Sequence, residues 1–482
     1  MFSGKMNIVI LCTLLVLTLV SVSEAGAQAP QQTVPARLTL ADAENLLLQR
    51  NLTIAASKYQ VEAARAARLI ASYKPNPVLT LGAEQIPFSS PQGNLPRFFA
   101  TDPNAGAQPT YTFRFDKITE RGGKRELRTE QADFQLKTSE AQMLDAIRLQ
   151  MFQLRQAFNN AILARQNLIL AQTTEQQYQQ TERLTQVRLD SGDLPALELY
   201  RVRAGKLQYQ QAVLQAESTY DQATRDILNL LGTRSEQVAP QPVAQNASLT
   251  GDPQAAPNFP DALRSAPLQI VGMFDTRPIT EPLPELRQIA LAQRPDVIAA
   301  RNTFEGANRG LLLAQATRRR DFDISYEYQR VGEDNSAGIV LQVPLFMYNN
   351  NQAAIAQADA QHKAAEAQLR AAEFQAVTDV EKAYRSYEAA RRVLDIYNSE
   401  NLSQVEKLKT ISNFSFNEGA ASLLEVLDAQ RTYNQSMVSY NQAMSDYQLS
   451  LWQLEQATGQ QLRLGTNTAL NAEPVRRDTS AQ

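Results

Sequence analysis

Catalysis by side chains needs a nucleophile with a base, or a metal with its ligands, held together in a pocket. This sequence of 482 residues offers one histidine and one cysteine for such work. His362 lies in an alanine-rich helical stretch, where a lone histidine is a solvated or packing residue, and Cys12 sits inside an apolar run near Met1. No GxSxG, phosphate-loop or HExxH pattern accompanies either. The chain is therefore expected to be no enzyme, to hold no cofactor and to have no protein metal site. One spaced pair of charged groups remains, Glu425 and Asp428, three residues apart in a helical run and so able to face the same side. Spacing alone fits equally a solvated helix face and a charged wall.

The elements that carry this pair follow from composition. Asn349 to Gly459 contains no proline and only two glycines, Gly419 and Gly459, and is rich in alanine, glutamine and long side chains. Asn349 to Asn417 as helix would extend about 100 Å, and Ala420 to Thr458 about 60 Å. Lys124 to Arg188 predicts a matching long helix, with Asp193 to Leu231 running back beside it. Leu38 to Tyr73 supplies a further helix of about 54 Å. Gly192 and Gly419 each stand alone between two helical runs, where positive φ ends one helix and turns the chain. After Gly192, Asp193 is expected as the N-cap, with Pro195 in the first turn.

Ahead of each helical hairpin the period changes to alternation. Tyr111, Phe113 and Phe115 interleave with Thr112, Arg114 and Asp116, and Phe322, Ile324, Tyr326 and Tyr328 interleave with Asp321, Asp323, Ser325 and Glu327. The candidate strands are Pro77 to Ile86, Thr110 to Ile118, Asp321 to Gln329 and Ala337 to Met347. Strands near ten residues with an aromatic face suit a membrane barrel with a wet lumen, although a buried face on a soluble core has the same pattern. Four strands cannot close, and hydrocarbon does not tolerate open edges, so a spanning reading requires several chains to share one barrel. Three chains leave room for a channel where two would fill it with side chains.

The chain also contains itself twice. Arg50 to Leu69 reads RNLTIAASKYQVEAARAARL and Arg294 to Leu313 reads RPDVIAARNTFEGANRGLLL, 244 residues on. Gly192, Leu197-Glu198, Tyr220 and Gly232 have counterparts at Gly419, Leu424-Glu425, Tyr447 and Gly459, 227 residues on. The shorter second spacing places a longer loop in the first copy, at the Pro- and Gly-rich segment from Pro87 to Pro109. Five regions result. Residues 1–27 read as a secretory signal peptide with Ala25-Gly26-Ala27 at the cleavage site, and Cys12, not preceded by a small residue, argues against lipidation. Residues 28–232 are the first repeat, 233–284 a proline-rich linker, 285–464 the second repeat and 465–482 a polar tail. The net charge of −3 argues against a polyanion-binding surface, so nucleic acid is not an expected partner. No apolar stretch of 18 or more residues suits a helical membrane span.

A signal peptide, a twofold repeat, strands after the first helix of each copy and helical hairpins with glycine tips together resemble the TolC-like outer-membrane factor family. GAASLLEVLDAQRTY from Gly419 and RLDSGDLPALEL from Arg188 resemble that family's two periplasmic turns. The resemblance implies a mainly α fold with a small transmembrane β part. Three chains would share a twelve-stranded barrel in the outer membrane, continued by a periplasmic α-helical barrel, with the linker and tail forming a belt. It implies a homotrimeric export duct touching outer-membrane lipid and working with a periplasmic adaptor and an inner-membrane pump. Gly192, Asp193, Leu194, Gly419 and Ala420 would be the adaptor-docking tips. Glu425 and Asp428 would line the constriction as acidic rings, with Phe416 and Phe414 narrowing the entrance, while small Ala421 replaces a basic latch residue of some relatives. ERGGKREL, from Glu120 to Leu127, resembles the strand-to-helix junction of the CzcC-type branch, which serves heavy-metal efflux. There Gly122 and Gly123 also turn a strand into a helix, and Arg121, Lys124, Arg125 and Arg128 can meet lipid phosphates. Ducts for multidrug efflux or type I protein secretion stay open, as does, from another class, a poreless periplasmic coiled-coil scaffold.

Overall fold

The computed structural model describes residues 34–85, 109–238, 266–332, 334–345, 347–397 and 399–462. The signal peptide, most of the Pro87 to Pro109 loop, Ile86, much of the linker and the polar tail lie outside the described residues.

Long helices dominate. A short strand β1 (Arg37–Leu38) leads into α1 (Leu40–Arg50), whose N-cap Thr39 and Asp42 form a reciprocal capping box. Helix α2 (Leu52–Ser72) follows immediately, and the break between them falls at Asn51, whose extended backbone lets its side chain cap Ile54. Strands β2 (Val78–Glu84) and β3 (Thr110–Thr119) come next, then α3 (Lys124–Asp190), a single helix of 67 residues. Helix α4 (Ala196–Leu230) returns along it. After the linker, β4 (Gln269–Ile270) precedes α5 (Leu283–Gln293) and α6 (Pro295–Ala316). Strands β5 (Phe322–Val331) and β6 (Asp334–Gln342) lead to α7 (Gln352–Ile396), α8 (Ser399–Asn417) and α9 (Leu423–Thr458).

Three expectations are corrected. The helix predicted over Asn349 to Asn417 is two helices, because Tyr397 leaves helical geometry with ψ at 38°. Leu38 to Tyr73 is likewise interrupted, at Asn51, whose side chain offers the new helix a cap. Asp193 caps nothing: Pro195 is the N-cap of α4, and the Asp193 N–H is instead spent on the Arg188 carbonyl.

The two copies are built alike. In the first, α2 and α4 stack along α3; in the second, α6 and α9 pack along α7, with α8 against the outer half of α9. Each stack meets at one polar contact. Asn51 Nδ2 donates to the Leu230 carbonyl at 2.9 Å, and in the second copy Arg294 reaches the carbonyl of Ala457, 227 residues on from Leu230, at 3.2 Å. Gly232 and Gly459, both at positive φ, end α4 and α9 there, and a Cβ on either would crowd the helix break opposite.

The largest core lies midway along α3, where Leu154, Phe158, Leu168, Tyr220, Ile227 and Leu268 are among its fully buried members. Each such apolar side chain contributes about 1.5–3 kcal/mol. The described ends of the linker are strapped onto this core. β1 pairs in parallel with β4, Arg165 donates to the Ile270 and Gly272 carbonyls, and the Tyr220 hydroxyl bonds to Leu268 and Ile270. Trp452 and Tyr447 are packing residues, as their helical spacing predicts.

Candidate functional site: two tips, a strand junction and a two-faced sheet

The tips of the helical hairpins are chemically the same turn used twice. Gly192 and Gly419 have φ of 83° and 76°. In one turn the Asp193 N–H reaches back to the Arg188 carbonyl at 2.9 Å, and in the other Ala420 reaches Ser415 at 2.8 Å, closing the same C-terminal motif. No atom lies within 4 Å of where a Cβ on either glycine would stand, so both turns open to solvent. Gly192, Asp193, Gly419 and Ala420 are exposed and Leu194 is half-buried.

Behind the turns the two tips are packed into one body. Tyr178, Val202, Phe416, Leu423 and Val426 form a small core. Arg188 crosses between them, its guanidinium over the Phe416 ring at 4.7 Å and donating to the Asn417 carbonyl at 2.7 Å. Phe416 is therefore not an entrance residue: its ring is buried among α3, α4 and α9 of its own chain, and only Phe414, 66% exposed, faces outward. On α3 and α4, burial together with the Tyr209 hydroxyl pushes the Tyr178 phenol up, while hydrogen bonds from Lys206 and Arg203 hold the Glu182 carboxyl below its usual range. On α8, burial pulls the Lys409 ammonium down as it sits 3.9 Å over the Tyr433 ring.

Glu425 and Asp428 both lie on the exposed side of α9, beside Leu424 and opposite buried Val426 and Ala429. Ser422 caps this helix by accepting from the Glu425 N–H, which places both carboxylates in its first turns. Sequence reading missed Arg431, which stands 4.0 Å from Asp428 on the same face; its spacing of three was the available signal. Arg188 was missed as well, and nothing in its local pattern distinguishes it from a solvated arginine.

At the strand junction, Gly122 and Gly123 adopt φ of 82° and 71° and turn β3 into α3. A Cβ at Gly122 would stand 2.7 Å from the Arg319 Cδ, so only glycine lets the second copy approach this closely. Two of the basic residues expected at lipid phosphates are engaged elsewhere. Lys124 is buried and bonded to Asp321 at 2.8 Å, and Arg128 holds Glu120 and the Ala71 carbonyl. A partly desolvated ammonium or guanidinium with a carboxylate in reach gains more there than at a mobile headgroup. Arg121 is exposed and half-exposed Arg125 pairs with its neighbour Glu126.

The four longer strands form one antiparallel sheet in the order β2-β3-β5-β6, leaving β2 and β6 as open edges. Register puts Leu81, Phe113, Tyr328 and Ala337 in one row and Leu79, Phe115, Tyr326 and Ile339 in the next, all on one face. The other face carries Thr112, Arg114, Asp116, Ser325 and Glu327. Burial is inverted relative to a water-soluble sheet. Phe113, Tyr326 and Tyr328 are 49%, 52% and 45% exposed, whereas Ser325 is fully buried and Arg114, Asp116 and Glu327 are half-buried. Arg114 ties the polar face together, donating to Asp116 at 2.7 Å and to Ser325 at 3.0 Å, with Glu327 3.9 Å away. Among the described residues no helix is long and apolar enough to cross a membrane. No group of three or more histidine, cysteine, aspartate or glutamate side chains among them could hold a metal ion, and His362 packs on the Phe304 ring at 4.9 Å.

This architecture is shared with known proteins. The family model described as outer membrane efflux protein matches residues 43–233 and 286–460. The outer membrane protein TolC of Vibrio cholerae serotype O1 is 28% identical over 194 residues, which span 37% of this chain and 44% of that protein. A membrane protein from Pseudomonas aeruginosa superposes with a TM-score of 0.67 at 18% identity, covering 89% of this chain and 92% of that one. The outer membrane protein VceC from Vibrio cholerae superposes with a TM-score of 0.66 at 18% identity, covering 87% and 96%. At these identities the likeness to the solved structures is one of fold.

Proposed function

Because the chain belongs to the outer membrane efflux protein family, we propose that it is the outer-membrane channel of a tripartite export system, three copies closing one barrel and one helical tunnel. The observation that supports this best is the inverted burial of the sheet, with rings facing out and charge held on the shielded side. Such a sheet is stable only where its outer face meets hydrocarbon and its polar face meets water. A strand of ten residues spans about 33 Å, and tilted by about 40° it rises about 25 Å, the height of an outer-membrane apolar band. The open edges of β2 and β6 call for pairing with neighbouring copies.

In this arrangement the tips at Gly192 and Gly419 lie at the far end of the helices from the sheet and meet a periplasmic adaptor that links the duct to an inner-membrane pump. Glu425 and Asp428 line the narrow end, and the cargo is small solutes. Metal-cation efflux is supported by the Glu120 to Leu127 similarity alone. Gly122, Lys124 and Arg128 have structural tasks there, so that segment says little about what passes. The poreless scaffold accounts for neither the sheet nor its exposed rings.

The test is membrane fractionation with native mass spectrometry and planar-bilayer recording of the purified protein. Outer-membrane residence, a trimer and steady unitary conductance are expected. A soluble periplasmic protein, or a stable monomer in bilayers, would overturn the proposal.

A further inference from the structure

The polar face of the sheet is strongly acidic in its balance of charge. Register assigns Glu84, Asp116, Asp323, Glu327 and Asp334 to that face, five carboxylates, against the single guanidinium of Arg114. The strands' other bases, Lys117 and Arg330, stand on the apolar face toward its two ends, where long side chains extend to headgroups. Each chain thus presents a net charge of −4 on its polar face, from one base and five acids. Arg114 is committed to Asp116, with Glu327 at the outer limit of an ion pair, and Asp323 Oδ1 is buried with no hydrogen bond from the described chain.

From this segregation, and resting on the duct reading above, we propose that the barrel lumen is a second cation-selecting section, set by Asp323 and Glu327 and opposed by Arg114, independent of the Glu425 and Asp428 tip. Three chains would gather twelve uncompensated carboxylates around one axis, from four in each. A low-dielectric wall focuses such a field along the pore, where counterions screen it less than at an open surface. What these groups create is a potential along the lumen, not a seat for one bound ion. The species favoured are cations in general, multivalent ones more than monovalent, and anions are turned back whatever the state of the tip.

Reversal potentials in asymmetric potassium chloride test this, read in a Glu425→Ser, Asp428→Asn background so that the two carboxylates assigned to the constriction are removed. That background is expected to stay cation-selective. Adding Asp323→Asn and Glu327→Gln should lower the potassium-to-chloride permeability ratio roughly twofold or more, and Arg114→Gln should raise it. Glu84→Gln with Asp334→Asn, at the strand ends and away from the Arg114 contacts, gives a milder variant that should also lower the ratio. Loss of all selectivity in the tip-neutral background, or conducting strand variants with an unchanged ratio, would overturn the inference while leaving the duct intact. Failure of the parent to conduct at all would remove the duct itself.

Discussion

Replacing Arg294 with Met should destabilise each chain by about 3 kcal/mol, and the loss should fade in acid. Arg294 is 3% exposed and closes α9 against α6 and α7 through Asp296, at 3.0 and 2.6 Å, Asp379 at 3.1 Å and the Ala457 carbonyl at 3.2 Å. Breaking a buried ion pair costs about 3–5 kcal/mol. Asp296 and Asp379 keep 31% and 33% side-chain exposure and regain water once unpaired, which places the loss at the lower end of that range. Burial by itself pushes the Asp296 carboxyl up, but hydrogen bonds and charge from Arg294, with Arg148 behind it, hold it below its usual value. A carboxylate whose folded pKa is depressed stabilises the fold above its unfolded pKa and stops doing so as pH falls through the folded one. The gap between parent and variant should therefore be full at pH 7 and narrow below about pH 4. Unfolding entropy scaled to 482 residues converts the loss into about 3 °C of midpoint. The only tryptophan, Trp452, lies six residues before the end of α9 and reports the transition by fluorescence in detergent. Equal midpoints at pH 7, or a gap that does not narrow in acid, would refute the pairing argument.

At the tips, Gly192→Trp or Gly419→Trp should cost about 1–2 kcal/mol through positive φ, with the added Cβ meeting no neighbour, so native mass spectrometry should still find trimers while cellular efflux is lost. Full export by the double variant would remove these turns from the adaptor interface. Phe416→Ala should loosen the tip by about 3 kcal/mol, because a buried ring is lost from under Arg188, and limited proteolysis should then cut near Asn417 faster than in the parent. Glu425→Ser with Asp428→Asn should lower cation selectivity and block by divalent cations in planar bilayers, with trimer stability unchanged. Unaltered block would place both groups off the pore axis.

The repeat, the strands and both glycine turns were legible because each leaves a local mark: a register of identities, a period of two, a lone glycine between helical runs. The fourth strand, however, runs over Asp334–Gln342 and not over Ala337 to Met347, because its register is set by pairing with β5. The break at Tyr397 left no such mark, since no glycine or proline stands there. Asn51 could have been read as a cap, but the helical period passes through it unchanged. Pro195 was read two positions too deep because Asp193 is the better capping residue by type, and only the backbone bond to Arg188 shows that it is used otherwise. The site divides the same way. Glu425 and Asp428 share a face by simple helical arithmetic. The burial of Phe416 and Lys124, and the tie of Arg128 to the Ala71 carbonyl, depend instead on contacts across tens to hundreds of residues, which no window along the chain contains.

The pairing of β3 with β5 bears on how the molecule is made. These strands lie about two hundred residues apart and form the sheet's only link between the two copies. In a chain exported from its N-terminus, the first hairpin would emerge with two bare edges and exposed rings, and would have no partner until the second copy followed. The helices wait less, since α2, α3 and α4 close most of their core within the first copy and the linker that follows adds Leu268 and Ile270. Biogenesis is thus split in time: helical rods that mature early carry an unfinished sheet. On the duct reading proposed above, that sheet would be completed only when sister chains meet at the membrane.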